Sequence, residues 1–231
     1  MKDPSYLKPF LVVLVNVLIQ ILFLTFHNTY QISLGRIALI PTCFFFTQLL
    51  VDLFCAKFVD RIGYRICVVA SEICAATGLI GLAVLPDLLP SPFGGILISV
   101  ILYAIGSGLI EVLCSPIIEA CPFENKEATM SLLHSFYCWG HVGVVLLSTL
   151  FFRIFGIANW KYMALVWALI PIANGILFTR VPIAPLLDEG EKGLTMGELF
   201  KKKIFWVLML MMLCAGASEQ AVSQWASTLA E

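Results

Sequence analysis

The chain has 231 residues, 60% of them hydrophobic and only 13% charged, with a mean hydropathy of +0.96 and a formal net charge of -1. A soluble domain carries about a quarter charged residues. This chain could not cover a water-facing surface, so lipid must be the solvent for much of it. The near-neutral balance also leaves no basic field with which to bind nucleic acid.

A bilayer core of about 30 Å takes about 20 apolar residues in a helix. The first run of that length covers residues 10–30. It is too long for the apolar region of a signal peptide, and no small-residue cleavage site follows it, so it reads as a first span. Further spans cover residues 37–57, 66–85, 94–118, 130–155 and 162–178, and a seventh starts near 204. The connections between them are short and polar, and the one over residues 86–93 holds three prolines, as a tight turn does. The long link is 181–203, with Pro182, Pro185, Gly190, Gly193 and Gly197. It separates a six-span unit (1–180) from the seventh span (204–231). The seventh run stops without a flanking polar tail, so the chain is expected to be the N-terminal part of something longer.

The basic residues set the orientation. Lys2, Lys8, Lys57, Arg61, Arg65, Lys126, Arg180, Lys192, Lys201, Lys202 and Lys203 fall on one side, and only Arg36, Arg153 and Lys161 on the other. By the positive-inside rule the N-terminus is cytoplasmic, and the expected location is the plasma (inner) membrane, as a multi-pass protein. Seven of the eight cysteines (Cys43, Cys55, Cys67, Cys74, Cys114, Cys138, Cys214) lie in or at the ends of apolar runs. Without CxxC spacing they read as small hydrophobes against neighbouring helices, with no metal or cofactor implied.

Several polar residues interrupt the spans. In the first, Asn16 and Gln20 share a helix face, and His27 and Asn28 follow. Asp52, late in the second span, lies near Lys57 and suggests a local charge pair that snorkels towards the interface. Between spans two and three stands Ala56-Lys-Phe-Val-Asp60-Arg61-Ile-Gly63-Tyr64-Arg65. Span four carries Gly106-Ser-Gly108-Leu-Ile-Glu111-Val-Leu-Cys-Ser115-Pro116. An ionisable group at membrane depth costs at least about 2.5 kcal/mol and usually faces a cavity or partner, which makes Glu111 a candidate proton-binding carboxyl. Span five carries His134, Tyr137 and His141 on one face, a stripe that suits a hydroxylated solute. The plainer reading of that stripe is interhelical hydrogen bonding. Two histidines without further ligands do not make a metal site. Span seven carries Glu219, Gln224 and Trp225.

Four of these segments resemble the major facilitator superfamily. Asp60, Arg61, Gly63 and Arg65 match its loop signature G-x-L-x-D-R-x-G-R-R, with Ala56 for the first glycine and Tyr64 for one basic residue. Gly106, Gly108, Glu111 and Pro116 are similar to the G-x-G-x-x-E-x-x-x-N-P segment of fucose permease-like sugar–proton symporters, with Ser115 in place of Asn. His134, Phe136 and Gly140 resemble that branch's Q-x-F-N-x-x-G segment, and the polar seventh span, with Trp225, is also similar.

The resemblance implies an all-α transmembrane bundle: an N-terminal six-helix half of two inverted three-helix repeats, plus a seventh helix. It implies secondary transport of a small polar, sugar-like solute by alternating access, coupled to protons through Glu111. Asn16, Gln20, His27, Asn28, His134, Tyr137, His141, Glu219, Gln224 and Trp225 would line the substrate cavity. Asp60, Arg61, Gly63 and Arg65 would form a conformational latch. The partners implied are the bilayer, the solute, H+ and a missing C-terminal half. The branch's second carboxylate, late in span one, has no counterpart here, since no acid lies between Asp3 and Asp52. The fifth span also lacks the Gly-rich end of drug–proton antiporters. A seven-span receptor is the alternative, but it would put the N-terminus outside, against the basic-residue bias. No Gly-x-Ser-x-Gly, HExxH or paired intramembrane aspartates point to an enzyme.

Overall fold

The computed structural model describes residues 32–120, 125–181, 183 and 196–229, without the side chains of 34, 37, 136–138, 141, 196 and 219–229. Among the described residues every regular element is helical. The helices are α1 (Leu34–Ile62), α2 (Tyr64–Leu88), α3 (Pro92–Glu119), α4 (Lys126–Phe155), α5 (Trp160–Arg180), α6 (Met196–Phe200) and α7 (Lys203–Leu229), with a 3-10 turn at Ile157–Asn159. The chain forms two compact units, Met1–Leu186 and Leu187–Glu231. The first span expected from the sequence lies outside the described residues. Helices α1 to α5 correspond to the second to sixth expected spans, and α7 to the seventh.

The helices run past their apolar stretches, because capping and backbone hydrogen bonding continue where the hydrophobic signal fades. The polar link expected between the second and third spans is reduced to one residue, Gly63, which ends α1 and begins α2. Its φ of 97° is a conformation that glycine alone adopts without strain. Its amide donates to the Val59 carbonyl at 2.8 Å, closing the last turn of α1. The other ends are set by local chemistry. Ser91 accepts from the Gly94 amide at 3.3 Å, with Pro92 at the first turn of α3. Asn125 accepts from the Ala128 amide at 3.0 Å to open α4.

Helices α2 and α3 form the centre of the first unit, with α5 against α2 and α1 against α3. Small residues permit this closeness. A Cβ placed on Gly78 would lie 2.6 Å from the Tyr103 amide, and one on Gly106 2.5 Å from the Ser71 carbonyl oxygen. One apolar cluster gathers Tyr103, Trp160, Trp167, Leu79 and Ile96. A second, nearer the α1–α2 hinge, gathers Cys55, Val59, Val68, Ile110, Leu113 and Phe178. The buried Trp167 indole donates to the Ser148 hydroxyl at 3.2 Å, tying α5 to α4.

Outward faces are apolar. Phe46, Leu53, Leu146 and Leu169 are all at least 60% exposed. In water such a surface would aggregate; in a bilayer it is the expected lipid face. Among the described residues four helical stretches are long and apolar enough to cross a membrane: Ala38–Ile62, Tyr64–Leu88, Pro92–Glu119 and Ile157–Arg180. Shorter apolar helical stretches cover Val142–Phe155 on α4 and Lys203–Ser218 on α7. In the second unit, α6 precedes α7, and the Trp206 indole donates to the Phe200 carbonyl at 2.9 Å across their junction.

Candidate functional site

Glu111 lies on α3, two turns before that helix ends at Glu119. Its carboxyl is exposed, and Gln48 of α1 donates an amide hydrogen bond to its Oε2. The two glycines of the segment divide the work of placing it. Gly106 lets α2 approach. Gly108, one turn before Glu111, lets α1 approach: a Cβ there would lie 3.2 Å from Val51 and 3.3 Å from the Gln48 side chain. The Gly-x-Gly-x-x-Glu spacing therefore seats one helix on each side and leaves the carboxyl at the seam of α1 and α3, within reach of a neutral amide.

Asp52 sits one turn after Gln48 on α1 and is half-buried, its Oδ1 without a hydrogen bond. The pairing with Lys57 expected from the sequence is not formed. The Lys57 ammonium stands over the Phe58 ring, 5.5 Å from its centroid. Residues five apart point to different sides of a helix, and the ring next in sequence offers the cation a closer face.

The hinge residues behave differently from one another. The Tyr64 hydroxyl donates to Asp60 Oδ1 at 3.0 Å, so the residue that departs from the family signature holds its carboxylate. Arg65 donates from Nη1 to the carbonyls of Phe178 (3.0 Å) and Thr179 (3.1 Å), at the end of α5. These are carbonyls that the helix end leaves without intrahelical partners, and the guanidinium also complements the helix dipole. Arg61 is exposed.

Of the other residues singled out from the sequence, Asn16, Gln20, His27 and Asn28 lie outside the described residues. His134 is exposed on α4. Tyr137 and His141 fall on the same helix and Glu219, Gln224 and Trp225 on α7, but their side chains lie outside the description. Among the described residues, no cluster of three or more His, Cys, Asp or Glu could hold a metal ion.

Two residues escaped the sequence reading. Gln48 is a lone amide in an apolar run, and only the fold shows that it meets Glu111. Glu72 is an acid in the middle of α2, 1% exposed, facing Asn174 of α5. A carboxyl inside an apolar span was itself the available signal.

The model of the Major Facilitator Superfamily matches residues 9–231. No curated protein sequence matches the chain. Among solved structures, the inward-open xylose transporter XylE from E. coli superposes with a TM-score of 0.68 at 15% identity, covering 98% of this chain and 55% of that one. A D-xylose-proton symporter gives a TM-score of 0.68 at 13% identity, covering 96% of this chain and 52% of that one. The chain thus spans about half the length of these transporters. With the family match extending over nearly all of its residues, this multi-pass membrane protein belongs to the major facilitator superfamily.

Proposed function

We propose that the chain supplies the N-terminal six-span half and the seventh span of a secondary active transporter. The transporter moves a small polar, sugar-like solute by alternating access, driven by protons, across a plasma (inner) membrane with the N-terminus cytoplasmic. The observation that carries this reading is the Glu111–Gln48 pair, an accessible carboxyl inside a lipid-spanning helix and bonded to a neutral partner. Gln48 suits both states of that carboxyl. Its amide N–H donates to the carboxylate, and its amide oxygen can accept from the protonated acid. Proton uptake therefore needs no large rearrangement at the seam, while the charge it removes alters the balance between states open to either side.

The solute site lies between halves at mid-membrane, as in transporters built from inverted repeats. Asn16, Gln20, His27, Asn28, His134, Tyr137, His141, Glu219, Gln224 and Trp225 are its proposed lining. Asp60, Arg61, Gly63 and Arg65 form the latch at the hinge end. The likeness to sugar transporters supports a sugar as solute, in the fucose permease-like manner, and the xylose–proton symporter supports the coupling ion.

Uptake of labelled pentoses and hexoses into vesicles, with and without a pH gradient, tests the reading. The chain expressed together with the five spans that complete the C-terminal half should accumulate a sugar when the outside is acidic, and the chain by itself should not. Sugar uptake indifferent to the gradient would refute the coupling. No uptake of any sugar by the joined halves would refute the solute class.

A further inference from the structure

Glu72 is buried where three helices meet. It is 1% exposed and lies two turns into α2 from Tyr64, within the stretch long and apolar enough to cross a membrane. From α5 the Asn174 side chain faces it, itself fully buried. Next to Asn174, Gly175 leaves room for the acid, since a Cβ there would lie 3.3 Å from the Glu72 Cβ. From α3 the Cys114 thiol lies within electrostatic reach, on the same helix as Glu111. On α2 itself, the Ser71 hydroxyl is committed to the Val68 carbonyl at 2.7 Å. Arg65, about two turns earlier, is committed to the end of α5. No described Lys, Arg or His pairs with the carboxyl, and neither of its oxygens accepts a hydrogen bond of ordinary geometry.

An ionised carboxylate so placed would be a buried charge with no counter-ion among the described residues, a costly state for a side chain in a lipid-embedded core. One proton removes the charge and turns an acceptor-only group into one that both donates and accepts. A carboxylic acid and a primary amide are complementary in that respect: acid O–H to amide oxygen, amide N–H to acid carbonyl. We propose that Glu72 is a proton-binding site that keeps its proton at neutral pH and, as a neutral acid, pairs with the Asn174 amide to join α2 to α5. The site is separate from Glu111, does not depend on the transport reading, and leaves Glu111 without a like charge across Cys114.

Infrared spectra of the chain in lipid nanodiscs, isotope-labelled at its glutamate carboxyls, test this. At neutral pH the wild-type chain should show a protonated-carboxyl band that survives in Glu111→Gln and disappears in Glu72→Gln. The same band should shift in Asn174→Leu, where the acid loses its amide. Glu72→Gln, which imitates the neutral acid in shape and bonding, should melt close to wild type. A spectrum without a protonated-carboxyl band in Glu111→Gln would overturn the proposal, as would a band unchanged in both Glu72→Gln and Asn174→Leu. Should the Glu72 variant fail to fold, the Asn174→Leu spectrum still decides: a shifted band supports the pair and an unshifted one refutes it.

Discussion

Two glutamates lie in adjacent helices, each two turns from a helix end, and the fold treats them in opposite ways. Glu111 stands exposed at the α1–α3 seam against an amide that can serve either protonation state. Glu72 is enclosed by α2, α3 and α5 with no cation among the described residues to balance it. Each is the one acid in the interior of its apolar helix, with Asp87 and Glu119 at the helix ends, so residue type and surroundings in the sequence do not assign the role. Access does: a carboxyl that must exchange protons during a cycle needs a path to water, and one that only holds helices together needs none.

Exchanging each acid for its amide should separate the two. In the joined-halves transporter, Glu111→Gln should lower gradient-driven uptake at least about tenfold, equivalent to about 1.4 kcal/mol. Glu72→Gln should leave that uptake in the wild-type range. Equal losses in both would erase the distinction.

The packing that encloses Glu72 can be probed next. Gly106→Val would push a side chain into the Ser71 carbonyl and the Ala75 backbone. The expected cost is about 1–3 kcal/mol, read as a lowered melting temperature in detergent. Gly143→Ala, with nothing near its Cβ position, should leave the melting temperature unchanged or slightly raised. A smaller effect than that of Gly106→Val is expected from Arg65→Gln, which gives up the charged donor to two α5 carbonyls near the surface. About 1 kcal/mol is expected there, reduced by salt. A loss as large as that of Gly106→Val would mean that the hinge matters to stability as much as the α2–α3 contact does.

The sequence made the Glu111 side of this comparison legible and left the Glu72 side hidden, for physical reasons. Glu111 is announced by two glycines at fixed spacing before it, and the structure gives each a helix to admit. The spans from the second onward were legible too, since lipid imposes long apolar runs, though their ends were not: Gly63 alone replaces an expected polar link. Glu72 sits among Ser71, Ile73 and Cys74 without any such marker. What makes it unusual is Asn174 and Gly175, far away in the chain, and only the packing of α5 on α2 brings them together. Asp52 misled for the converse reason, because a nearby lysine in sequence pointed elsewhere in space.

The most direct test of the difference in access is chemical. The chain in lipid vesicles is treated with a water-soluble carbodiimide and a small amine, which label carboxyl groups that water can reach, and the adducts are located by peptide mass spectrometry. Modification at Glu111 with Glu72 unmodified is the predicted outcome. Modification at Glu72, or its absence at Glu111, would contradict the account.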